Sequence, residues 1–328
     1  MTIRQWIGGG NNQASNPNDW SPTGVPQPGD SLSVIGSNTM NVSDDDLAGN
    51  TLSVIPAGGA FVANLSKATM SAFAEFDGTS TFNLAQSSLN LSTFRDFDTV
   101  NLSQNSSLTL DSNGGVSTIN IDGKDTANIT AEAFARPTIN LAKGSQWNGT
   151  FSIRNGPDTL VVNGAANSVF NNTGNSDIGG ESSATINAAV SGIGRFSVLP
   201  DPVSSSGFQL EFGGSVSPLQ SVADTGLVKI DQPNAFDATV TLSSAPDSPA
   251  SNRPSEIDLV GLANADSYTF KNDMLNIWSG NKVIDTLRLH DSTAFGFGVA
   301  KVGGDVQVVA LTSSGETLPG ALPIHVGS

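Results

Sequence analysis

"STINIDGKDTANITAEAFARPTINLAKGS", Ser117 to Ser145, carries one tetrad twice: Thr118-Ile119-Asn120-Ile121 returns as Thr138-Ile139-Asn140-Leu141. Alternation of polar and apolar residues at period two describes a strand with one buried face. The same tetrad stands at Thr39-Met40-Asn41-Val42, Thr81-Phe82-Asn83-Leu84, Thr99-Val100-Asn101-Leu102 and Thr185-Ile186-Asn187-Ala188, and Leu160-Val161-Val162-Asn163 is a degenerate copy. From Asn83 the central asparagines follow at spacings of 18, 19 and 20 residues, then 23 and 24. A near-constant period of this size is the mark of a solenoid of strands.

A second strand follows each tetrad, at Leu89-Asn90-Leu91, Leu108-Thr109-Leu110 and Ala127-Asn128-Ile129. A third apolar cluster, Phe94 with Phe97, then Val116, then Phe134, closes several coils. Two or three short strands joined by Gly, Ser, Asn and Asp turns make one coil of a parallel β-helix. No window sustains the apolar spacing of an amphipathic helix. One coil cannot bury its own apolar face, so each must stack on its neighbours, and both ends must be capped.

Alternation points Ile119 and Ile121 inward and Thr118 and Asn120 outward. Down the stack this predicts a Thr column, Thr81, Thr99, Thr118 and Thr138, beside an Asn column, Asn83, Asn101, Asn120 and Asn140. Thr suits strands and stacked Asn amides bond their neighbours, which gives the columns a structural reading. The functional reading is a hydroxyl–amide lattice that docks on another regular surface, such as a polysaccharide or ice.

Composition narrows the partners. The chain has 328 residues, a net charge of −16 and no cysteine. Such a surface repels nucleic acid and anionic lipid, so neither is expected as a partner. No run reaches the ~18 apolar residues of a membrane span, so no membrane insertion is expected. Without cysteine there is neither disulfide stapling nor a Cys-based metal site. The composition is that of an exported surface protein, yet Met1 to Gly10 lacks the basic segment and apolar core of a cleaved signal. Export by another route and no export both stay open.

The opening "RQWIGGGNNQASNPNDWSPTGVPQPGDSLSV" has two tryptophans that can cover the open end of an apolar core. Trp6, Gly8 and Gly9, then Asn16, Asp19 and Trp20, then Gly24, Pro26, Gly29 and Asp30 resemble the start of proteobacterial secreted and surface parallel β-helix proteins, the autotransporter-passenger-like adhesins. Near the other end, Ile257, Asp258, Leu259, Leu275, Leu287, Leu289, Phe295, Gly303 and Gly304 resemble the terminal module of the same proteins. The resemblance implies an extracellular or cell-surface protein without a cleavable leader, exported by a type I route. The calcium-binding nonapeptides common in such exports are absent.

Little points to a reaction. Neither His290 nor His325 has a second His or a Cys at ligand spacing, which argues against zinc. No nucleophile elbow, phosphate-binding loop or dinucleotide fingerprint occurs, although counts alone leave a Ser–His–Asp triad open. Measured from each coil's Asn, charges fall at Arg95 (+12), Asp111 (+10), Asp122 (+2), Asp125 (+5), Glu132 (+12), Arg154 (+14) and Asp177 (+14). No two carboxylates share an offset on neighbouring coils, so the paired acids of glycoside hydrolysis have no evident home. Asp44, Asp45 and Asp46 form the densest acidic run, read as a solvated turn or as a weak calcium candidate.

These readings predict an all-β chain: a cap over 1–36, a parallel β-helix over 37–250 and a strand-rich module over 251–328. The predicted role is extracellular, structural or adhesive, without catalysis or an obligate cofactor, through end-to-end self-association or contact with surface polysaccharide. The alternative is a carbohydrate-binding or carbohydrate-active β-helix.

Overall fold

In the computed structural model the chain is all β, and its described helical residues are two single 3-10 turns. The structure describes residues 2–325 apart from 10, 45–46, 48, 56–58, 75–77, 95–96, 114–115, 133–134, 155, 180, 199–208, 225 and 244–254. It divides into two compact units, Met1–Ser152 with Asp158–Val169, and Ile153–Pro157 with Phe170–Ser328.

The first unit is the expected parallel β-solenoid. A coil runs through Thr79–Ala85, turns a corner, returns along Ser88–Phe94, and enters the next coil at Phe97–Ser103. Strands therefore alternate between two sheets, and the described residues of this unit show no third strand per coil. Phe134 lies outside the described residues, as do the side chains of Phe94, Phe97 and Val116, so the expected third cluster is not placed.

Register follows the tetrad. Thr81 pairs with Thr99, Thr99 with Thr118, and Thr118 with Thr138, all in parallel ladders. Ile119 lies beside Ile139, and both are fully buried. Upstream the same inward column continues through Val100, Phe82, Ala63 and Met40. Ala63 is small where Phe61 and Phe82 meet edge to face at 6.0 Å, so volume is balanced between coils rather than within one.

The corners solve a different problem. After the tetrad strand the chain must turn within two or three residues, and Lys67, Gln86, Gln104 and Asn105 take positive φ to do so. Their amide neighbours would be stranded indoors without side-chain acceptors. Ser87 Oγ accepts the Ala68 amide at 3.1 Å, Ser106 Oγ accepts the Ser87 amide at 3.2 Å, and Asp125 Oδ1 accepts the Ser106 amide at 2.7 Å. One buried polar side chain per coil thus closes the corner above it.

At the N-terminal end, Ile3–Trp6 adds to one sheet by pairing with Ser31–Ile35 and is itself covered by Trp20–Ser21. In the other sheet Asn41 donates its amide to Asn12 O at 2.6 Å and accepts the Ala14 amide at 2.8 Å. Trp6 and Trp20, both buried, meet edge to face at 5.1 Å. The motif residues have mechanical reasons. Arg4 Nε donates to Asp30 at 2.8 Å, and Gly24 lies so close that an added Cβ would sit 2.9 Å from the Arg4 guanidinium. Three donors, Arg4, the Thr2 amide and the Gln27 amide, hold the Asp30 carboxyl well below the usual carboxylate range.

The second unit continues the same physics with different fillings. Leu210, Val228 and Ile257 form one inward column, and Phe196, Val222, Val240 and Leu289 another. Phe170, Phe196, Phe212 and Phe236 touch in series at centroid separations of 6.2, 5.2 and 5.4 Å. The expected strand-rich module over 251–328 splits into parallel and antiparallel parts. Glu256–Leu259 is a parallel rung on Leu227–Ile230, because Ile257 and Leu259 complete the inward columns. Ser267–Lys271, Met274–Ser279 and Lys282–Ser292 do form an antiparallel meander. Asp305–Ala310 then pairs antiparallel with Glu256–Leu259 on one side and Phe297–Val302 on the other. Antiparallel pairing ends the parallel ladder and leaves it no free edge there.

Candidate functional site

The eight lattice residues come together on one face of the first unit. Thr81, Thr99, Thr118 and Thr138 form one outward column, flanked by Val62 and Val161 where the tetrad degenerates. Two residues along each strand, the Asn column is longer than expected and unbroken: Asn41, Asn64, Asn83, Asn101, Asn120, Asn140 and Asn163. Each Nδ2 donates to the Oδ1 of the coil before it, at 2.9, 2.8, 2.7, 2.8, 3.0 and 3.1 Å in chain order. All six bonds point the same way. At about 1 kcal/mol net apiece they hold the outward amides in a single orientation.

Asn64 was hidden from the tetrad pattern because its strand reads Val62-Ala63-Asn64-Leu65, with Val for Thr and Ala for the first large apolar residue. Its position 19 residues before Asn83 and 23 after Asn41 is the signal that identifies it.

Beside this ladder lies a groove of about 630 Å³ that runs across the coils. Asn41, Asn64, Asn83, Asn101 and Asn120 line one length of it, and Ser43, Ser66, Ala85, Ser103 and Asp122 line the next outward column. Asp122 is the one carboxylate among the described lining residues. Asp125, three residues on, is buried at the corner, where loss of solvent pushes its carboxyl up. The two acids therefore do not face each other across an open cleft.

The remaining expected sites are dispersed. Asp44 sits in a turn at φ 49° with its amide toward Ser66 O at 3.3 Å, while Asp45 and Asp46 lie outside the described residues. No three His, Asp or Glu among the described residues converge as metal ligands. Arg154 and Asp177, which share an offset on successive coils, form an ion pair. Arg95, and the Glu132 side chain that shares its offset, lie outside the description.

Among the described residues Ser, His and Asp meet in the second unit. Ser267 Oγ lies 2.8 Å from Asp266 Oδ1 and 3.2 Å from His325 Nδ1, and the imidazole stacks on Trp278 at 4.1 Å. A hydrolytic triad needs the imidazole between hydroxyl and carboxylate. Here the hydroxyl is in the middle and Ser267 is buried, so the group pins the chain near His325 to the meander.

A smaller cleft of about 290 Å³ in the second unit is lined by Phe236, Asp237, Asp285 and Thr286 with their neighbours. Burial pushes the Asp285 carboxyl up to about 6, and Asp258 is likewise raised to about 6, first by burial and then by Asp305 and Glu256. Well below pH 3.8 the Asp285 carboxyl is protonated in folded and unfolded chains alike and contributes no pH dependence. Between there and about 6 the unfolded chain ionises while the folded one does not, so stability falls as pH rises. Above that window the penalty is constant. Asp285→Asn should therefore stabilise the protein by about 2 kcal/mol at neutral pH and by less than about 0.5 kcal/mol at pH 3.8, as measured by urea denaturation at both.

No described helix is long and apolar enough to cross a membrane. Comparison with protein-family models, with curated proteins and with solved structures finds no match to the chain.

Proposed function

We propose that the chain is a non-catalytic structural or adhesive β-solenoid of the cell exterior, and that the Thr/Asn face of its first unit is the contact surface. The observation that carries this reading is the unbroken, one-directional Asn ladder. A surface whose amides are already fixed pays little ordering entropy when it meets a regular partner, and identical rungs add weak contacts into avidity. The acidity of the chain and the resemblance of its opening segment to surface β-helix proteins support an exterior location.

Adhesion is better supported than growth into filaments. End-to-end assembly by strand pairing at the N-terminal end would first have to displace Asn12 and Ala14 from Asn41, and Trp20–Ser21 from Ile3–Trp6.

The test is fractionation of the native host followed by adsorption of purified protein to its washed cells. The chain is expected on the surface or in the medium, and a Thr118→Lys/Thr138→Lys double variant should adsorb on the order of tenfold less while melting like the parent. Recovery in the cytosol, or equal adsorption of the double variant, counts against the reading.

A further inference from the structure

We infer that the groove beside the Asn ladder is a binding site for a single extended, neutral, β-linked glycan chain lying parallel to the stacking direction, with about one sugar per coil. The inference rests on the adhesive reading above and names the ligand class of its surface.

Hydrogen-bond capacity is the first argument. A carboxamide has two N–H donors and two acceptor lone pairs. Asn64, Asn83 and Asn101 each spend one donor and one acceptor on the ladder. One N–H and one lone pair per rung are left over on side chains that line the groove. A sugar hydroxyl is itself donor and acceptor, so a row of hydroxyls matches a row of half-used amides without reorienting any of them. The neighbouring column adds the Ser66 hydroxyl and the oxygen lone pairs of Ser103, whose hydroxyl proton goes to Leu84 O at 2.9 Å.

Spacing is the second. Neighbouring strands lie roughly 4.8 Å apart, so the amides from Asn41 to Asn120 span about 19 Å. That rung repeat is comparable with the advance of one pyranose in an extended β-linked chain, and because successive rings are flipped, the two-sugar repeat of the chain falls on every second rung. An extended polypeptide advances about 3.3 Å per residue and repeats its side chains over two, so it falls out of step within a few rungs.

Charge is the third. The described lining residues include no Lys or Arg, and Asp122 closes one end in a chain of net charge −16. Polyanions such as alginate are repelled. No aromatic side chain lines the groove either, and Leu65, Leu84 and Leu102 supply only apolar wall between the two polar columns, so orientation rests on hydrogen bonds and binding should be weak per sugar and strengthened by length.

Isothermal titration of the full chain with cello- and chito-oligosaccharides of increasing length tests this. Affinity is expected to rise with each sugar and level off once the oligomer spans the five Asn of the groove. Ala85→Trp fills the groove without removing an Asn of the ladder and should weaken binding on the order of tenfold or more, and Ser66→Trp serves if the first variant does not fold. Thr109→Trp, outward on the other sheet, should bind like the parent. Length-independent binding, undiminished binding by the filled variants, or preference for alginate or an extended peptide each overturns the inference. If the chain adsorbs to cells in the Thr-dependent manner above but takes up neither oligosaccharide series, the groove assignment falls while the adhesive reading stands.

Discussion

A Trp20→Ala chain is expected to lose roughly 3–5 kcal/mol of stability, the usual cost of emptying a large aromatic site in a packed interior. Trp20 is wholly buried, donates its indole N–H to Ala14 O at 2.8 Å, and meets Trp6 edge to face. The carbonyl it holds belongs to the segment that pairs with Asn41. Removing the indole should therefore open two things at once: the apolar end of the core and the outer edge of a sheet. An exposed parallel edge recruits other edges, so concentration-dependent light scattering should accompany the lower denaturation midpoint. Trp20→Phe, which keeps the ring but not the donor, should lose about 1 kcal/mol beyond its smaller volume and scatter little. Equal stability of the alanine variant and the parent would mean that something other than the indole closes this end.

How far the sequence discloses this molecule depends on which force writes each part. Alternation and period come from burying one face of a strand on an identical strand, and that requirement recurs in every coil, so Ile119 over Ile139 could be read directly. The outward direction of Thr118 and Asn120 followed from the same alternation. The corners were less legible, because their work is done by single polar residues whose partners lie a coil away: nothing local marks Ser87, Ser106 and Asp125 as members of one ladder. Glu256–Leu259 alternates like any hairpin strand, and only the vacancy beside Leu227–Ile230 decides that it joins the parallel stack. The groove was invisible for another reason. It is a concavity between columns, and sequence lists which side chains face outward without giving the depth between them. Asn64 shows the converse case, in which the period carries information that the motif lost.

Repetition also fixes where the chain is intolerant. Gly149→Ala is expected to cost on the order of 4 kcal/mol, combining backbone strain with an overpacked interior. Gln146–Arg154 alternates half-buried and buried residues, and Gly149 occupies an inward position between Trp147 and Phe151. Its φ of 153° is one that residues with a Cβ rarely adopt. An added Cβ would lie 1.9 Å from Ala127 O and 3.0 Å from Trp147 Nε1. Neither neighbour can yield cheaply. Ala127 O is backbone of the coil before and accepts the Trp147 indole N–H at 2.8 Å, so moving it breaks a buried hydrogen bond and shifts a rung. Glycine inside a strand commonly marks such a close backbone approach, and here it lets an indole take the place of a ladder donor. Gly144→Ala is the matched comparison: φ there is 73° but nothing stands within 4 Å, so only the conformational cost of about 1 kcal/mol applies. Urea denaturation of both variants separates the two causes. A Gly149 loss no greater than the Gly144 loss would mean that the coils can part at this rung without cost, and a stack that parts so easily could not hold the amides of Asn120 and Asn140 in line.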